Sequence, residues 1–166
     1  MPTDLNFVFH ISQRARFRSG ALAHEWRQRY PGLFDERDIE VLKTEHQRKY
    51  NFLEWLAAVL IFESTGLRSL VAKYTAKSHS AKHEALRKCL PPELADWVFE
   101  HESGQPDLFV YSDDYKQWHF CEVKGPGDKI RDNQNAWRAE FLNRVEALHL
   151  SQPTKYRVLS LVSIDI

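Results

Sequence analysis

Hydrophobic positions along this chain change their period several times, and each change marks an element. Residues 5–11 (LNFVFHI) alternate, with Leu5, Phe7, Phe9 and Ile11 on one side, and predict a strand. Arg14, Arg16 and Arg18 continue the alternation. On an extended chain they share one face, either a solvated basic strand end or a phosphate-binding edge. Ser19 is expected to cap a short helix to Tyr30, which Pro31-Gly32 breaks. Asp35 is a predicted N-cap, with Glu36, Asp38 and Glu40 near the positive end of the helix dipole. Ile39, Leu42, Leu53, Leu56, Val59 and Leu60 then keep helical spacing until Gly66, a natural stop. This stretch is one helix, or two with a break near Asn51. Residues 66–74 suggest a short strand, and Pro91-Pro92 starts a helix through Trp97 and Phe99. Residues 107–124 read as a hairpin, with LFVY and WHFCEV as strands around the turn SDDYKQ. A helix from Asp132 to Leu148 carries Trp137, Phe141, Leu142 and Val145 on one side, and a last strand runs over 155–166. This order predicts an α/β protein with a central mixed sheet flanked by helices.

Composition narrows the picture. A length of 166 residues, 43% of them hydrophobic, suits one domain with a packed core. Acids and bases balance at 23 each, which excludes a uniformly basic coat, so any nucleic acid must be held by local patches. One such patch is residues 73–88, where Lys73, Lys77, Lys82, Arg87 and Lys88 face a single acid, Glu84. A solvated helix face is the ordinary explanation for it; DNA contact is the functional one. Cys89 and Cys121 form no CxxC pair, which argues against structural zinc, and Cys121 reads as a buried thiol. His79 and His83 have helical spacing but no third ligand. The N-terminus lacks a signal-peptide pattern. The apolar segment 52–62 falls short of the roughly 20 residues that span a bilayer. A soluble, cytoplasmic protein is expected.

The window 104–137 carries the chemistry. Asp107 precedes one strand of the hairpin, and Glu122 and Lys124 stand on the other. Strand alternation puts Glu122 and Lys124 on one face and turns Val123 to the other, into the core. A hairpin can bring Asp107 alongside Glu122. Two close carboxylates repel unless a cation sits between them. Oxygen ligands of this kind suit Mg²⁺ or Mn²⁺, which lower the pKa of a bound water and offset charge on a phosphate. A lysine beside them can orient that water or stabilise developing negative charge. Acid-x-lysine alone usually marks a solvated strand face. Its weight here comes from its order after Pro106-Asp107 and before Gly125-Pro126-Gly127.

These residues resemble the VRR-NUC branch of the PD-(D/E)XK nuclease superfamily, in the version found in Fanconi-associated nucleases. The pattern is met by Gly104, Pro106, Asp107 and Leu108, by Glu122 through Pro126, by Asp128, Lys129 and Ile130, and by Gln134 and Trp137. Phe99 and His101 also fit, so the match covers residues 99–142. The resemblance implies a restriction-endonuclease-like core over residues 35–166 with a helical insert, and residues 1–34 as an N-terminal extension packed on it. It implies a metal site of Asp107, Glu122 and the Val123 carbonyl, with Lys124 as catalytic lysine and Gln134 on the following helix. It also implies a glutamate on the first core helix. Glu54 is the choice, as the only charge in the apolar segment 52–62. Glu63 lies on the opposite side of that helix at about 100° per residue, and Glu45 is the other candidate. An exposed acid on a half-buried helix is the alternative reading of Glu54.

The expected activity is Mg²⁺- or Mn²⁺-dependent cleavage of DNA, on branched or structured substrates such as flaps or four-way junctions. Lys73, Lys77, Lys82, Lys129 and Arg131 are the expected DNA contacts. Family resemblance admits both a homodimer and a monomer. Two other readings stay open: an inactive nuclease fold that only binds DNA, and a defence nuclease of broad specificity. Asp128 or Asp132 is expected to cap the next helix, and His101, Trp137 and Phe141 to pack.

Overall fold

The structure is a computed structural model that describes residues 5–150 and 155–164. Residues 1–4, 151–154 and 165–166 lie outside it, and with them the start of the expected extension and the end of the expected last strand. The elements are β1 (Leu5–His10), α1 (Ser12–Arg18), α2 (Ala21–Arg29), α3 (Glu36–Val41), α4 (Glu45–Arg48), α5 (Phe52–Thr65) and β2 (Arg68–Leu70). A 3-10 turn (Lys77–His79) follows, then α6 (Ser80–Cys89), α7 (Pro92–Glu100), β3 (Leu108–Tyr111), β4 (Trp118–Lys124), α8 (Asp132–Ala147) and β5 (Tyr156–Ile164).

The strands form one mixed sheet in the order β1-β5-β4-β3-β2. β5 is parallel to both β1 and β4, while β3 is antiparallel to β4 and β2. The parallel β4–β5 pair is joined through α8, and the antiparallel β3–β4 pair through a tight turn, as each geometry requires. Helices cover both faces. Trp26 of α2, Trp55 and Val59 of α5, and Val110, Cys121 and Val123 of the sheet pack in one cluster. Leu86 of α6, Trp97 of α7, Trp137 and Phe141 of α8, and Phe109 and Phe120 pack in another. β4 is buried on both faces, so it reads as a mostly apolar run that His119 and Glu122 interrupt. Residues 5–34, expected to pack on the core, contribute the edge strand β1 and bury Phe9, Phe17 and Trp26 in the first cluster.

The two-helix reading of the stretch after Asp35 becomes three helices. Asp35 caps α3 by accepting from the Arg37 N–H at 2.9 Å. A new helix starts after Asn51, and Gly66 ends it with φ of 77°. The basic strand end is a correction: Arg14, Arg16 and Arg18 lie on α1. Gln, Arg and Ala favour helix, and burial of Phe17 selects it over extension of β1. Ser19 ends α1, donating its hydroxyl to the Arg16 carbonyl, and Gly20 precedes α2 in the left-handed region. No helix among the described residues is long and apolar enough to cross a membrane.

Lys82 is a second correction. It is not an available DNA contact, because it is 4% exposed on α6. Its ammonium donates to Asp38 Oδ1 at 2.6 Å and to the Val71 carbonyl at 2.7 Å. A basic run cannot reveal that one of its members turns inward to meet an acid on another helix. Burial raises the Asp38 carboxyl despite this partner. Asp38→Ala leaves a buried ammonium without its counter-charge, so it is expected to cost about 3–5 kcal/mol, read as a lower urea midpoint.

Candidate active site

The β3–β4 register pairs Leu108 with Cys121, so Asp107, one residue earlier, falls beside Glu122. Asp107 Oδ2 accepts the Val123 N–H at 2.8 Å, which fixes its carboxylate against β4. Glu122 and Lys124 share the face of β4 turned toward α8, and Val123 points to the opposite cluster, as alternation predicts. The Lys124 ammonium lies 3.2 Å from Glu122 Oε1, with side chains 13% and 1% exposed. The three groups are together.

Gln134, on the first turn of α8, ties them. Its Nε2 donates to Glu122 Oε1 at 2.6 Å, and its Oε1 accepts from Lys124 Nζ at 3.0 Å. The same oxygen accepts the Arg131 backbone N–H at 2.9 Å and so closes half of a capping box. Arg131 has no side-chain acceptor to close the other half. Asp128 and Asp132 therefore do not cap α8: Asp128 Oδ2 accepts the Gly125 N–H in the preceding turn, and Asp132 is the first helical residue.

The turn carrying Asp107 is stitched from behind. The Tyr74 hydroxyl donates to the Pro106 carbonyl at 2.7 Å, Thr75 Oγ1 donates to Gln105 Oε1, and Gln105 Nε2 donates to the Val98 carbonyl. Trp137 Nε1 donates to the His101 carbonyl, holding the same segment to α8. Gly104 sits between them with φ of 80°, and a Cβ there would lie 2.1 Å from the Asn133 carbonyl oxygen. That contact explains the glycine: only a bare backbone lets this turn touch the start of α8.

A cavity of about 360 Å³ opens over the site, and Glu54 lines it with Asp107, Glu122, Val123, Lys124 and Gln134. Glu45 and Glu63 are exposed and do not line it. Lys129 and Arg131 line this cavity, whereas Lys73 lines a neighbouring one and Lys77 is exposed on the 3-10 turn. Arg14, Lys49 and Tyr50 also line it. Sequence reading set Arg14 on a strand and missed the other two, which lie in a hydrophilic stretch without periodicity.

Burial pushes the Glu54 carboxyl up to about 7, and Asp107 adds to the shift. Glu122 is raised by burial and by the Asp107 charge, and Asp107 by burial against the Val123 N–H. Glu122 Oε2 is buried with no hydrogen-bond donor among the described residues. An acceptor in that position needs a proton or a cation. In the metal-free protein the Asp107–Glu122 pair is expected to share a proton. Hard oxygen donors with an unmet charge fit a divalent cation of the Mg²⁺ type. Among the described residues, however, no three His, Cys, Asp or Glu side chains are set as a closed metal-ligand group. Glu122 Oε1 instead faces Gln134 and Lys124.

The VRR-NUC domain model matches residues 53–151. A Fanconi-associated nuclease 1 homolog from Caenorhabditis elegans is 36% identical over 61 residues, covering 35% of this chain and 7% of that protein. The chain thus spans a small part of this curated relative's length. The crystal structure of paFAN1 bound to a 5′ flap DNA of 1 nt with a gap aligns with 92% of this chain and 22% of its own, at 21% identity and a TM-score of 0.38. The corresponding complex with a 2 nt flap aligns over 90% and 25%, at 22% identity and a TM-score of 0.39.

Gly104→Ala is expected to destabilise the fold by at least about 1–3 kcal/mol, from the left-handed backbone alone. The clash with Asn133 should add to this and shift Gln134. A lowered melting temperature with weakened Mn²⁺ binding checks this; an unchanged melting temperature would refute it.

Proposed function

This chain belongs to the VRR-NUC domain family, and from that membership we propose that it is a Mg²⁺- or Mn²⁺-dependent deoxyribonuclease that hydrolyses phosphodiester bonds in branched DNA. The observation that carries the reading is Glu122 Oε2, a buried carboxylate oxygen that receives no donor from the described residues, beside Asp107 and under a cavity that Lys124 enters. Asp107, Glu122 and the Val123 carbonyl would hold the ion, with Glu54 closing the carboxylate side. When bound, such an ion lowers the pKa of a water and offsets charge on the phosphate. Lys124, held by Gln134 Oε1, orients the attacking water or meets the negative charge that develops on the phosphate. Glu54 ionises near neutral pH and is suited to take a proton from that water. Lys129 and Arg131 supply phosphate contacts at the cavity wall. Every group in this scheme comes from one chain, and no second copy is invoked. The preference for branched DNA rests on kinship with the Fanconi-associated nuclease homolog.

Labelled flap, four-way-junction and linear DNA incubated with Mg²⁺ or Mn²⁺ test the proposal. Cleavage is expected to favour a branched form, and Lys124→Ala should lower the rate by about 10²–10³ or more, the scale of losing a transition-state donor. Binding without cleavage by the wild type would point to a DNA-holding module instead. Equal cutting of all forms would point to broad specificity.

The carboxyl groups give a pH test. Raised carboxyl groups contribute stability that is present in full below their unfolded value of 4.5 and is lost as pH rises through about 7, the Glu54 value. Stability of the metal-free protein should therefore fall over this window. A bound ion competes with these protons, so Mn²⁺ should raise the melting temperature more at about pH 8 than at about pH 6. Equal shifts at both pH values would remove the carboxylates from the metal site.

A further inference from the structure

Arg14 lies outside the span that the family model matches, and α1 brings it to the same cavity as Asp107, Glu122 and Lys124. We propose that Arg14 is a contact for a backbone phosphate of the bound nucleic-acid strand, so that the N-terminal segment forms part of the substrate site. The proposal rests on the nuclease reading above.

The guanidinium is held 5.0 Å over the ring of Phe52, the first residue of α5, and Phe52 is 2% exposed. Glu54 stands two residues further along that helix. A rigid aromatic under one face of a guanidinium restrains its plane and leaves the edge free for paired hydrogen bonds to a tetrahedral oxyanion. Among the described residues no carboxylate or carbonyl accepts a hydrogen bond from this guanidinium, whereas Arg16 on the same helix pairs with Glu25.

Lys124 in the same cavity pairs with Glu122, but three further cations there resemble Arg14. Lys49, Lys129 and Arg131 have no carboxylate partner among the described residues, while exposed Arg27, Arg87 and Arg144 each have one. Unpaired cations therefore reach the cavity from two separate stretches of chain, residues 14–49 and 129–131. A small carboxylate ligand would need one of these positions; a polyanion with regularly spaced charges uses both. A DNA strand is such a polyanion.

Steady-state cleavage of a labelled 5′-flap duplex with Mn²⁺, across a range of KCl concentrations, tests this. The variants are Arg14→Gln, Arg14→Met (which keeps an apolar stem over Phe52), Arg14→Lys, and the control Arg18→Gln, which removes the same charge from an exposed site on α1. Melting temperatures confirm that each folds. Arg14→Gln and Arg14→Met are expected to raise KM about tenfold with kcat within about twofold. They should also flatten the log–log salt dependence of KM by about one unit. Arg14→Lys should recover part of the loss, and Arg18→Gln should show none. Arg14 variants that match Arg18→Gln while the wild type cuts DNA would overturn the Arg14 assignment alone. A loss confined to kcat with an unchanged salt slope would overturn it too. A wild type that neither binds nor cuts DNA would overturn both this assignment and the nuclease reading.

Discussion

Two carboxylates held side by side away from water cannot both ionise without positive charge between them, and the candidate site is built on that constraint. Asp107 is pinned by the Val123 N–H, and Glu122 by Gln134 and Lys124, yet Glu122 Oε2 receives no donor from the described residues. A hydroxyl or an amide N–H would satisfy that oxygen without a cation. Here the surrounding polar groups are already committed: Gln134 serves Glu122, Lys124 and the Arg131 N–H together. The remaining place can be filled by a proton or by a cation, and in the proposed function the competition between the two would make the site depend on pH and on metal.

The position of the site in the sheet explains its rigidity. β4 runs through the middle of the molecule, with one set of side chains in the cluster around α5 and the alternate set facing α7 and α8. Glu122 replaces an apolar residue in the second set. On that face Phe120 packs against Trp137, which in turn contacts Trp97 and Phe141. Desolvation of Glu122 thus follows from where the strand lies, and the raised carboxyl is a consequence of fold more than of local charge. The packing stabilises the sheet, and the buried acid subtracts from it until a counter-charge arrives.

Much of this was legible in the sequence because it depends on local rules. Hairpin spacing placed Asp107 beside Glu122, strand alternation separated Val123 from its neighbours, and Gly66 ended α5 where a left-handed residue was needed. Glu54 stood out as the only charge in the apolar segment 52–62, and helical periodicity set Glu63 on the opposite side; in the structure Glu54 lines the cavity and Glu63 is exposed. What was hidden depends on contacts between distant segments. Lys82 looked like its basic neighbours until Asp38, 44 residues away, supplied a buried partner. Arg14 looked like part of an alternating strand because a period-two pattern over a few residues also fits a helix with one buried Phe17. The role of Gly104 needed the Asn133 carbonyl, which only the folded chain brings near.

Charge organisation shows the same division between local and distant. A chain with zero net charge exerts no overall attraction on a polyanion. Net charge, however, sums over cations that are already neutralised and cations that are not. Arg16, Arg27, Arg87, Lys88 and Arg144 spend their charge on nearby acids at the surface, where such pairs add little stability. Around the cavity Asp107 and Glu122 lie side by side with Lys124 paired to Glu122, while Arg14, Lys49, Lys129 and Arg131 form no ion pair among the described residues. Cations without an ion pair thus line the same cavity as the buried carboxylates. That combination suits a ligand made of phosphate and a divalent ion, and it arises from how the charges are paired and not from how many there are.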